Sequence, residues 1–302
     1  MSSNGDGCGL LRDSPSMEIA LQNAVDSING SVESEIARTA ISIVYRVTSK
    51  KFRRIFAIKI INTKALPKPI ARKFLPRELL FTRLAQHPHI ARALSIRMPN
   101  PTKITIISDY YPGGTLLDLI VRYQQMPEYP LACRLFRQLT EAIRYLHDRG
   151  VVHRDIKPDN VLLDANEDVK LADFGFARYI NRRKRSYSFC GTKPYCAPEI
   201  IQHKPYDAYA SDWYSMGVLL YTMLVGKWPQ ESHETDEQVS CCATFETAIP
   251  SQPARALIIR LMNTDYRFRG NYDTIINSEW MKAQKIWVMK HKHLIYEIIK
   301  ST

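Results

Sequence analysis

The chain has 302 residues, of which 45% are hydrophobic and 24% are charged, and its formal net charge is +12. This length and composition are typical of a soluble globular protein with one large domain or two ordinary ones. The longest apolar stretch, Trp213 to Val225, is too short to span a bilayer, and Met1 to Gly9 is too polar for a signal peptide. We therefore expect no membrane partner and a cytoplasmic location, with a nuclear location left open.

The excess of basic residues does not by itself indicate a nucleic-acid partner. Only Lys50 to Arg54 and Arg182 to Arg185 are dense in positive charge, and no known nucleic-acid-binding module accompanies them. We interpret both clusters as solvated loops and expect no nucleic acid. The six cysteines show no paired metal-ligand spacing, which predicts reduced thiols.

The first third of the chain is rich in strand patterns. Residues 1–25 are polar and weakly periodic, so we predict a flexible tail there. Alternation from Ile41 to Val47 predicts a strand, and Phe56 to Ile61 predicts a second one after a basic hairpin loop. Lys59 lies inside the second strand, where a buried ammonium needs an acid or a phosphate as its partner. A lysine at a sheet edge that reaches water is the alternative.

The pattern then changes from strands to helices. Residues Ile70 to Ala85 predict a helix that carries Glu78, a candidate partner of Lys59. After a predicted strand at Ile104 to Ile107, a chain reversal from Tyr110 to Gly114 is suited to a hinge. The segment beyond it is helical in character, with an amphipathic pattern from Leu131 to His147. The sequence thus predicts a small strand-rich lobe, a hinge and a larger helical lobe.

Two polar clusters in the larger lobe indicate chemistry. His153 to Asn160 lies between the amphipathic helix and a predicted strand at Val161 to Leu163, so it is a loop held from both sides. Asp173-Phe174-Gly175 places a carboxylate at a sharp bend after another predicted strand. Carboxylate and amide oxygens are ligands for hard cations, so Asp173 and Asn160, with Asp155 nearby, indicate a magnesium–phosphate site.

In their order along the chain, these motifs resemble those of the eukaryotic protein kinases, over roughly residues 30–283. The matching segments are Phe56–Lys59, Glu78, His153–Asn160, Asp173–Gly175, Ala197–Glu199, Asp212–Gly217 and Arg269 with Ser278–Trp280. Lys157 and Thr192 are typical of the serine/threonine branch. Within it, Lys73–Glu78 and Ser188–Gly191 resemble the testis-specific serine kinases of the calcium/calmodulin-dependent-kinase-like group most closely.

The resemblance implies an α+β, bilobal fold with a small antiparallel-sheet lobe plus one helix and a larger, mainly α-helical lobe. The implied boundaries are a flexible tail at 1–25, the small lobe at 26–108, the large lobe at 109–283 and a short C-terminal tail at 284–302. It also implies a protein serine/threonine kinase that transfers the γ-phosphate of ATP with Mg²⁺, acting in male germ-cell differentiation.

Residue roles follow from the same resemblance. Asp155 would be the catalytic base, and Lys157 would neutralise charge on the moving phosphoryl group; Asn160 and Asp173 would bind the metal. The implied ATP-binding set is Lys59, Glu78, Ala37, Thr39, Val44, Ala57, Ser108, Asp109, Tyr111 and Leu162. The implied structural set is Arg154, Thr192, Glu199, Asp212 and Arg269, with an ion pair expected between Glu199 and Arg269.

One segment departs from the family pattern. The glycine-rich loop of protein kinases aligns with Ala37 to Val44, where Ala37, Thr39 and Ser42 replace the glycines. Glycine there permits a close backbone approach to phosphates. Two hypotheses stay open: an active enzyme with weakened nucleotide affinity, or a pseudokinase scaffold with weakened or absent ATP turnover. A small-molecule phosphotransferase is disfavoured by Ala197–Glu199, which is typical of a peptide-binding shelf.

Regulation and partners are also implied. Ser188 matches the activation-loop phosphosite, and its phosphate would pair with Arg154. The activator is open between an upstream kinase and autophosphorylation, and we expect a monomer. Asp159 favours protein substrates with basic residues before the acceptor. Thr115 stands where related basic-directed kinases often carry an acid, which leaves that preference open.

Overall fold

The structure of the chain is a computed structural model that describes residues 15–65, 81, 83, 85–100, 102–229 and 250–290. The described residues form two compact units. The small unit falls within residues 1–86 and 91–110, and the large unit falls within residues 87–90 and 111–302. The predicted helix with Glu78 lies almost entirely outside the described residues, and Glu78 itself is not among them.

The small unit is built on a five-stranded antiparallel sheet in the order β1-β2-β3-β5-β4. Its strands are β1 (Gly30–Arg38), β2 (Ser42–Ser49), β3 (Arg54–Asn62), β4 (Ala93–Asn100) and β5 (Lys103–Asp109). The strands predicted at 41–47, 56–61 and 104–107 are confirmed as β2, β3 and β5. Their β-branched residues alternate between the two faces of the sheet, as a pleated strand requires.

A helix covers one face of this sheet. Phe56, Ile58 and Ile60 of β3 are at most 2% exposed and belong to one core cluster with the buried side of helix α1 (Pro15–Ser27). The flexible tail predicted for residues 1–25 therefore does not describe residues 15–25, which are helical. Apolar residues at positions 17, 20, 21, 24, 25 and 28 follow the helical period, but polar residues between them make the stripe weak in the sequence.

The large unit is mainly helical. Its helices are α2 (Leu116–Tyr123), α3 (Cys133–Asp148), α4 (Pro198–Ile201), α5 (Ala208–Val225), α6 (Gln252–Leu261), α7 (Tyr272–Ile276) and α8 (Glu279–Lys290). Two short antiparallel pairs accompany them: β6 (Val151–Val152) with β9 (Arg178–Tyr179), and β7 (Val161–Leu163) with β8 (Val169–Leu171). The amphipathic helix predicted at 131–147 is confirmed as α3. No helix in the described ranges is long and apolar enough to cross a membrane.

Helix α5 runs through the core of the large unit. Almost all of its residues are buried; Asp207 caps its N-terminus by accepting hydrogen bonds from the backbone N–H groups of Tyr209 and Ala210, and Gly226 ends it in the left-handed conformation. Helix α8 also belongs to this core, because Trp280 is fully buried with its ring 5.9 Å from that of Phe136. It continues to Lys290 without proline or glycine, so the tail predicted to begin at residue 284 starts inside a helix.

Candidate active site

A buried carboxylate of α5 fixes the loop from His153 to Asn160. Asp212 is 1% exposed and accepts hydrogen bonds from the backbone N–H groups of His153 at 2.9 Å and Arg154 at 2.8 Å. It also lies 2.8 Å from Nε2 of His147 at the end of α3. Because these partners come from separate segments, Asp212 ties the loop to both helices and sets the direction in which the next residue points.

That next residue, Asp155, is held by four polar contacts. Its Oδ1 accepts hydrogen bonds from the backbone N–H of Thr192 at 2.9 Å and from the Thr192 hydroxyl at 2.8 Å. Its Oδ2 accepts one from Nδ2 of Asn160 at 2.9 Å and lies 3.5 Å from Nζ of Lys157. Lys157 also donates to the Thr192 hydroxyl at 2.8 Å, so the four side chains form one connected network. Such a network fixes the carboxylate in a single orientation.

Asn160 and Asp173 are brought together by the backbone. Both amide N–H bonds of Asn160 are directed at Asp155, to its carbonyl oxygen at 2.8 Å and its carboxylate, which turns the amide oxygen away from that residue. The N–H of Ala172 donates to the carbonyl of Asn160 at 2.8 Å, and Asp173 follows directly. One carboxylate and one amide oxygen on adjoining segments are the donor set that suits Mg²⁺.

Asp173 adopts an uncommon backbone conformation with φ of +58°. Its Oδ1 accepts a hydrogen bond from the N–H of Gly175 at 3.1 Å. The bend is held in place by Phe174, which is 1% exposed and packs edge-on against His153 at 5.3 Å. Left-handed conformations of residues other than glycine cost on the order of 1 kcal/mol and concentrate at functional sites, where the surrounding structure maintains them.

Arg154 connects the loop from His153 to Asn160 to the segment that follows Asp173. Its buried side chain donates from Nε to the carbonyl of Phe176 at 2.8 Å and from Nη1 to the carbonyl of Ser188 at 3.5 Å. Its Nη2 is buried and has no hydrogen-bond partner among the described residues. A buried guanidinium nitrogen without a partner is costly, so this position offers a donor to an anion close to Ser188.

A buried ion pair between Arg269 and Glu199 lies in the large unit. Arg269 donates to both carboxylate oxygens of Glu199, at 2.7 and 3.0 Å, and its side chain is fully buried. Its remaining N–H groups donate to backbone carbonyls, among them that of Asn263 at 2.9 Å. This pair fastens helix α4, which follows the Thr192 segment, to the chain after α6.

Five sequence-predicted residues of the small unit share one face of its sheet. Lys59 pairs with Val44 across β2–β3, and Val44 pairs with Ala37 across β1–β2. Ala57 pairs with Ser108 of β5, whose hydroxyl is 3.4 Å from the carbonyl of Ala57. Directly opposed residues project to the same side, and so do residues two apart on a strand. This is the face opposite to the one that α1 covers.

The remaining predicted residues have different surroundings. Asp109, at the end of β5, forms an ion pair with Arg54 at 3.0 Å. Tyr111 and Leu162 belong to the large unit, where Leu162 pairs with Lys170 in the β7–β8 ladder. Sequence reasoning assigned Thr192 only as a branch marker and structural residue, although it makes direct contacts with Asp155. The two residues are 37 positions apart, so only the fold reveals this contact.

Comparison with known proteins agrees with this geometry. The sequence pattern of the protein kinase domain family matches residues 31–281. Testis-specific serine/threonine-protein kinase 3 of Mus musculus is 36% identical over 248 residues, covering 80% of this chain and 92% of that protein. Testis-specific serine/threonine-protein kinase 4 of Homo sapiens is 30% identical over 298 residues, covering 91% and 89%. CBL-interacting protein kinase 32 of Oryza sativa subsp. japonica is 34% identical over 232 residues, covering 75% and 52%. The chain belongs to the protein kinase family, in its serine/threonine branch.

Proposed function

We propose that this protein transfers the γ-phosphoryl group of ATP to serine and threonine hydroxyls of other proteins. The observation that carries the proposal is the network in which Lys157, Asn160 and Thr192 all contact the carboxylate of Asp155. Phosphoryl transfer leaves little covalent work to the protein, so a rigidly oriented base and nearby positive charge supply most of what the reaction needs.

In the proposed reaction, the acceptor hydroxyl attacks the γ-phosphorus while its proton passes to Asp155, and ADP leaves. The contacts of Thr192 and Asn160 hold the carboxylate so that a lone pair stays directed at the acceptor. Lys157, 3.5 Å from the carboxylate, stays close to the moving phosphoryl group and offsets its negative charge. A positioned general base such as Asp155 contributes on the order of 10²- to 10⁴-fold to the rate.

The family uses ATP with Mg²⁺, and the chain has residues suited to both. Asn160 and Asp173 would hold the metal, which neutralises phosphate oxygens when it is bound. Lys59, whose amine lies on the sheet face opposite α1, would contact the α- and β-phosphates, with Glu78 as its proposed partner. We assign the rest of the nucleotide contacts to Ala37, Thr39, Val44, Ala57, Ser108, Asp109, Tyr111 and Leu162.

The scaffold alternative was raised by the missing glycines. Against it stand the intact acidic, amide and lysine positions at 59, 155, 157, 160 and 173. A chain that served only as a scaffold would have no need to keep Asp155 in a four-contact network. We therefore propose activity with weakened nucleotide affinity.

We also propose regulation by phosphorylation of Ser188. Nη2 of Arg154, which has no hydrogen-bond partner in the part of the chain that the structure describes, supports this proposal, because Nη1 of the same guanidinium already reaches the carbonyl of Ser188. A phosphate on Ser188 would accept hydrogen bonds from that group and order the loop. An upstream kinase or autophosphorylation would add it.

The biological setting rests on the relatives. Several of them are named testis-specific kinases, and we propose that this protein acts in male germ-cell differentiation, in the cytoplasm and as a monomer, with a nuclear location left open. Asp159 is exposed next to the catalytic loop and supports a preference for basic residues before the acceptor. Loss of the gene product should then impair the late stages of sperm formation; normal fertility and sperm morphology would contradict this setting.

The test of the reaction class is incorporation of labelled phosphate into a generic basic protein, followed by acid hydrolysis and separation of the phosphoamino acids. We expect phosphoserine and phosphothreonine. Phosphotyrosine alone would overturn the serine/threonine assignment, and labelling of a small-molecule hydroxyl in preference to protein would overturn the proposed substrate class.

A further inference from the structure

The turn between β1 and β2 is closed by its own threonine. The N–H of Thr39 donates to the carbonyl of Ser42 at 2.8 Å, which closes the turn. The Thr39 hydroxyl oxygen accepts two further hydrogen bonds, from the backbone N–H of Ile41 at 3.3 Å and from that of Ser42 at 3.0 Å. The Ser42 hydroxyl is also 3.0 Å from it. One oxygen therefore receives two successive backbone N–H groups.

Successive N–H groups that converge on one point form a concave site for an anion. Phosphate oxygens are the usual occupants of such sites in loops that bind nucleotides. Here the point on which the two N–H groups converge is occupied by the hydroxyl oxygen of Thr39. The segment is also the one that aligns with the glycine-rich nucleotide loop of the family, where glycine has no side chain to fill this position.

We propose that the Thr39 hydroxyl is an internal competitor of nucleotide phosphate for the N–H groups of Ile41 and Ser42. The inference rests on the proposed function, since it concerns the nucleotide of the same site. The Thr39 hydroxyl closes the loop on itself, and a phosphate must displace that hydroxyl before it can bind the two donors. The hydroxyl of residue 39, and not its bulk, then limits nucleotide affinity.

We expect the loss of this hydroxyl to strengthen nucleotide binding, whereas most substitutions in a binding site weaken it. Removing the hydroxyl releases the two N–H groups, so nucleotide binding becomes tighter. The displaced interaction has the size of one neutral hydrogen bond in net terms, which corresponds to a change of about two- to ten-fold in a dissociation constant.

Two substitutions separate the hydroxyl from the bulk of the side chain. Thr39→Val keeps the β-branched shape and removes the hydroxyl, whereas Thr39→Ser keeps the hydroxyl and removes the methyl group. We would titrate the full chain with ADP and Mg²⁺ by calorimetry, because ADP binding needs no turnover. The proposal expects Thr39→Val to bind ADP about two- to ten-fold more tightly than the wild type, and Thr39→Ser to bind like the wild type.

Several outcomes would overturn the proposal. The first is ADP binding by Thr39→Val that is equal to or weaker than that of the wild type. The second is tighter ADP binding by Thr39→Ser, which would show that the bulk of the side chain is the cause. The third is no ADP binding by any form. Amide hydrogen exchange of the nucleotide-free proteins is the second readout. The N–H groups of Ile41 and Ser42 should exchange faster in Thr39→Val, and unchanged exchange also counts against the proposal. Thr39→Ala, which lacks the hydroxyl as well, replaces Thr39→Val if that variant does not fold.

Failure of the proposed function would look different. If the variants show the expected ADP binding but no form transfers phosphate, the competition by Thr39 stands and the kinase activity falls. If the wild type transfers phosphate and the variants bind ADP with the same affinity as the wild type, the activity stands and the competition by Thr39 falls.

Discussion

Single buried side chains determine much of how the large unit holds its site. Arg269 and Glu199 satisfy each other with two short hydrogen bonds in a region closed to water. Removing one member of such a pair leaves the other charge buried without its partner, which costs more than the pair itself contributes.

We predict that Arg269→Met lowers the free energy of unfolding by about 3–5 kcal/mol. The matched control is Lys282→Met, which removes a lysine whose side chain is 56% exposed and whose partner Glu279 is 76% exposed. That exposed pair contributes at most about 1 kcal/mol. Urea denaturation of the three proteins measures both effects, and similar losses for the two variants would contradict this account of the pair.

His87 provides a pH-dependent case. Its ring packs against those of Tyr145 at 5.1 Å and His89 at 5.6 Å. Burial, together with the positive charges of His89, Arg149 and Lys170, lowers the pKa of His87 from 6.5 to about 4. Between pH 6.5 and pH 4, His87 binds a proton in the unfolded chain but stays neutral in the folded chain, so acid favours unfolding. The stability that neutral His87 provides is present above pH 6.5 and is lost as the pH falls towards 4.

We therefore predict that His87→Asn makes the fall in unfolding free energy between pH 7 and pH 4.5 shallower than in the wild type. His203→Asn, which replaces an exposed histidine, is the control. Denaturant unfolding at several pH values provides the comparison. A wild-type slope in His87→Asn, or an equal change in both variants, would show that His87 does not control acid stability.

Ser188 is the residue at which regulation can be tested. Relative to wild-type protein phosphorylated at Ser188, we expect Ser188→Ala to lower kcat/KM by about tenfold or more, since the loop lacks the charge-assisted hydrogen bonds to Arg154. Tyr187→Phe is the control, because it removes a neighbouring hydroxyl from a side chain that is 71% exposed. Kinetics on one peptide substrate decide the matter, and equal activity of the phosphorylated wild type and Ser188→Ala would exclude the switch.

Among the elements, helix α1 completes the core of the small unit. It replaces a predicted flexible tail with a helix whose buried residues complete the core beneath β3 and β5. Its contribution to the fold comes from this packing and not from intrinsic helix propensity, because a 13-residue helix is marginal in isolation.

We predict that Ala24→Asp lowers the unfolding free energy of the chain by about 2–4 kcal/mol, since Ala24 is 2% exposed and a buried carboxylate would have no partner there. Ile19→Asp, at a position that is 59% exposed on the same helix, should change it by less than about 0.5 kcal/mol. Amide exchange of β3 and β5, with thermal unfolding, measures the effect. If both substitutions are neutral, α1 is not part of the core.

The elements also show what a sequence can and cannot predict. β2, β3 and β5 were predictable because they are rich in β-branched residues, and α3 because its buried stripe is continuous. α1 was missed because its stripe is interrupted by polar residues. The residues of the catalytic loop were predictable from their order, but the contacts that hold Asp155 and Asp212 were not. The contact of Asp155 with Thr192 and the contacts of Asp212 join positions 37 to 65 residues apart, and local patterns carry no information about such pairs.

At the scale of the whole molecule, the chain combines two units of different character. The small unit carries Lys59 and the self-closed Thr39 turn, and the large unit carries the network around Asp155. The family match spans both units, from residue 31 to residue 281. The central claim is that the chain as a whole transfers phosphate and that Asp155 is the residue on which this transfer depends.

The most direct measurement is the initial rate of phosphate transfer from labelled ATP to a basic protein by the full chain and by Asp155→Asn. Asparagine preserves the shape of the side chain but cannot accept the proton, so we predict a rate lower by about 10²- to 10⁴-fold in a variant that still unfolds cooperatively on heating. A wild-type rate equal to or lower than that of Asp155→Asn would contradict the claim.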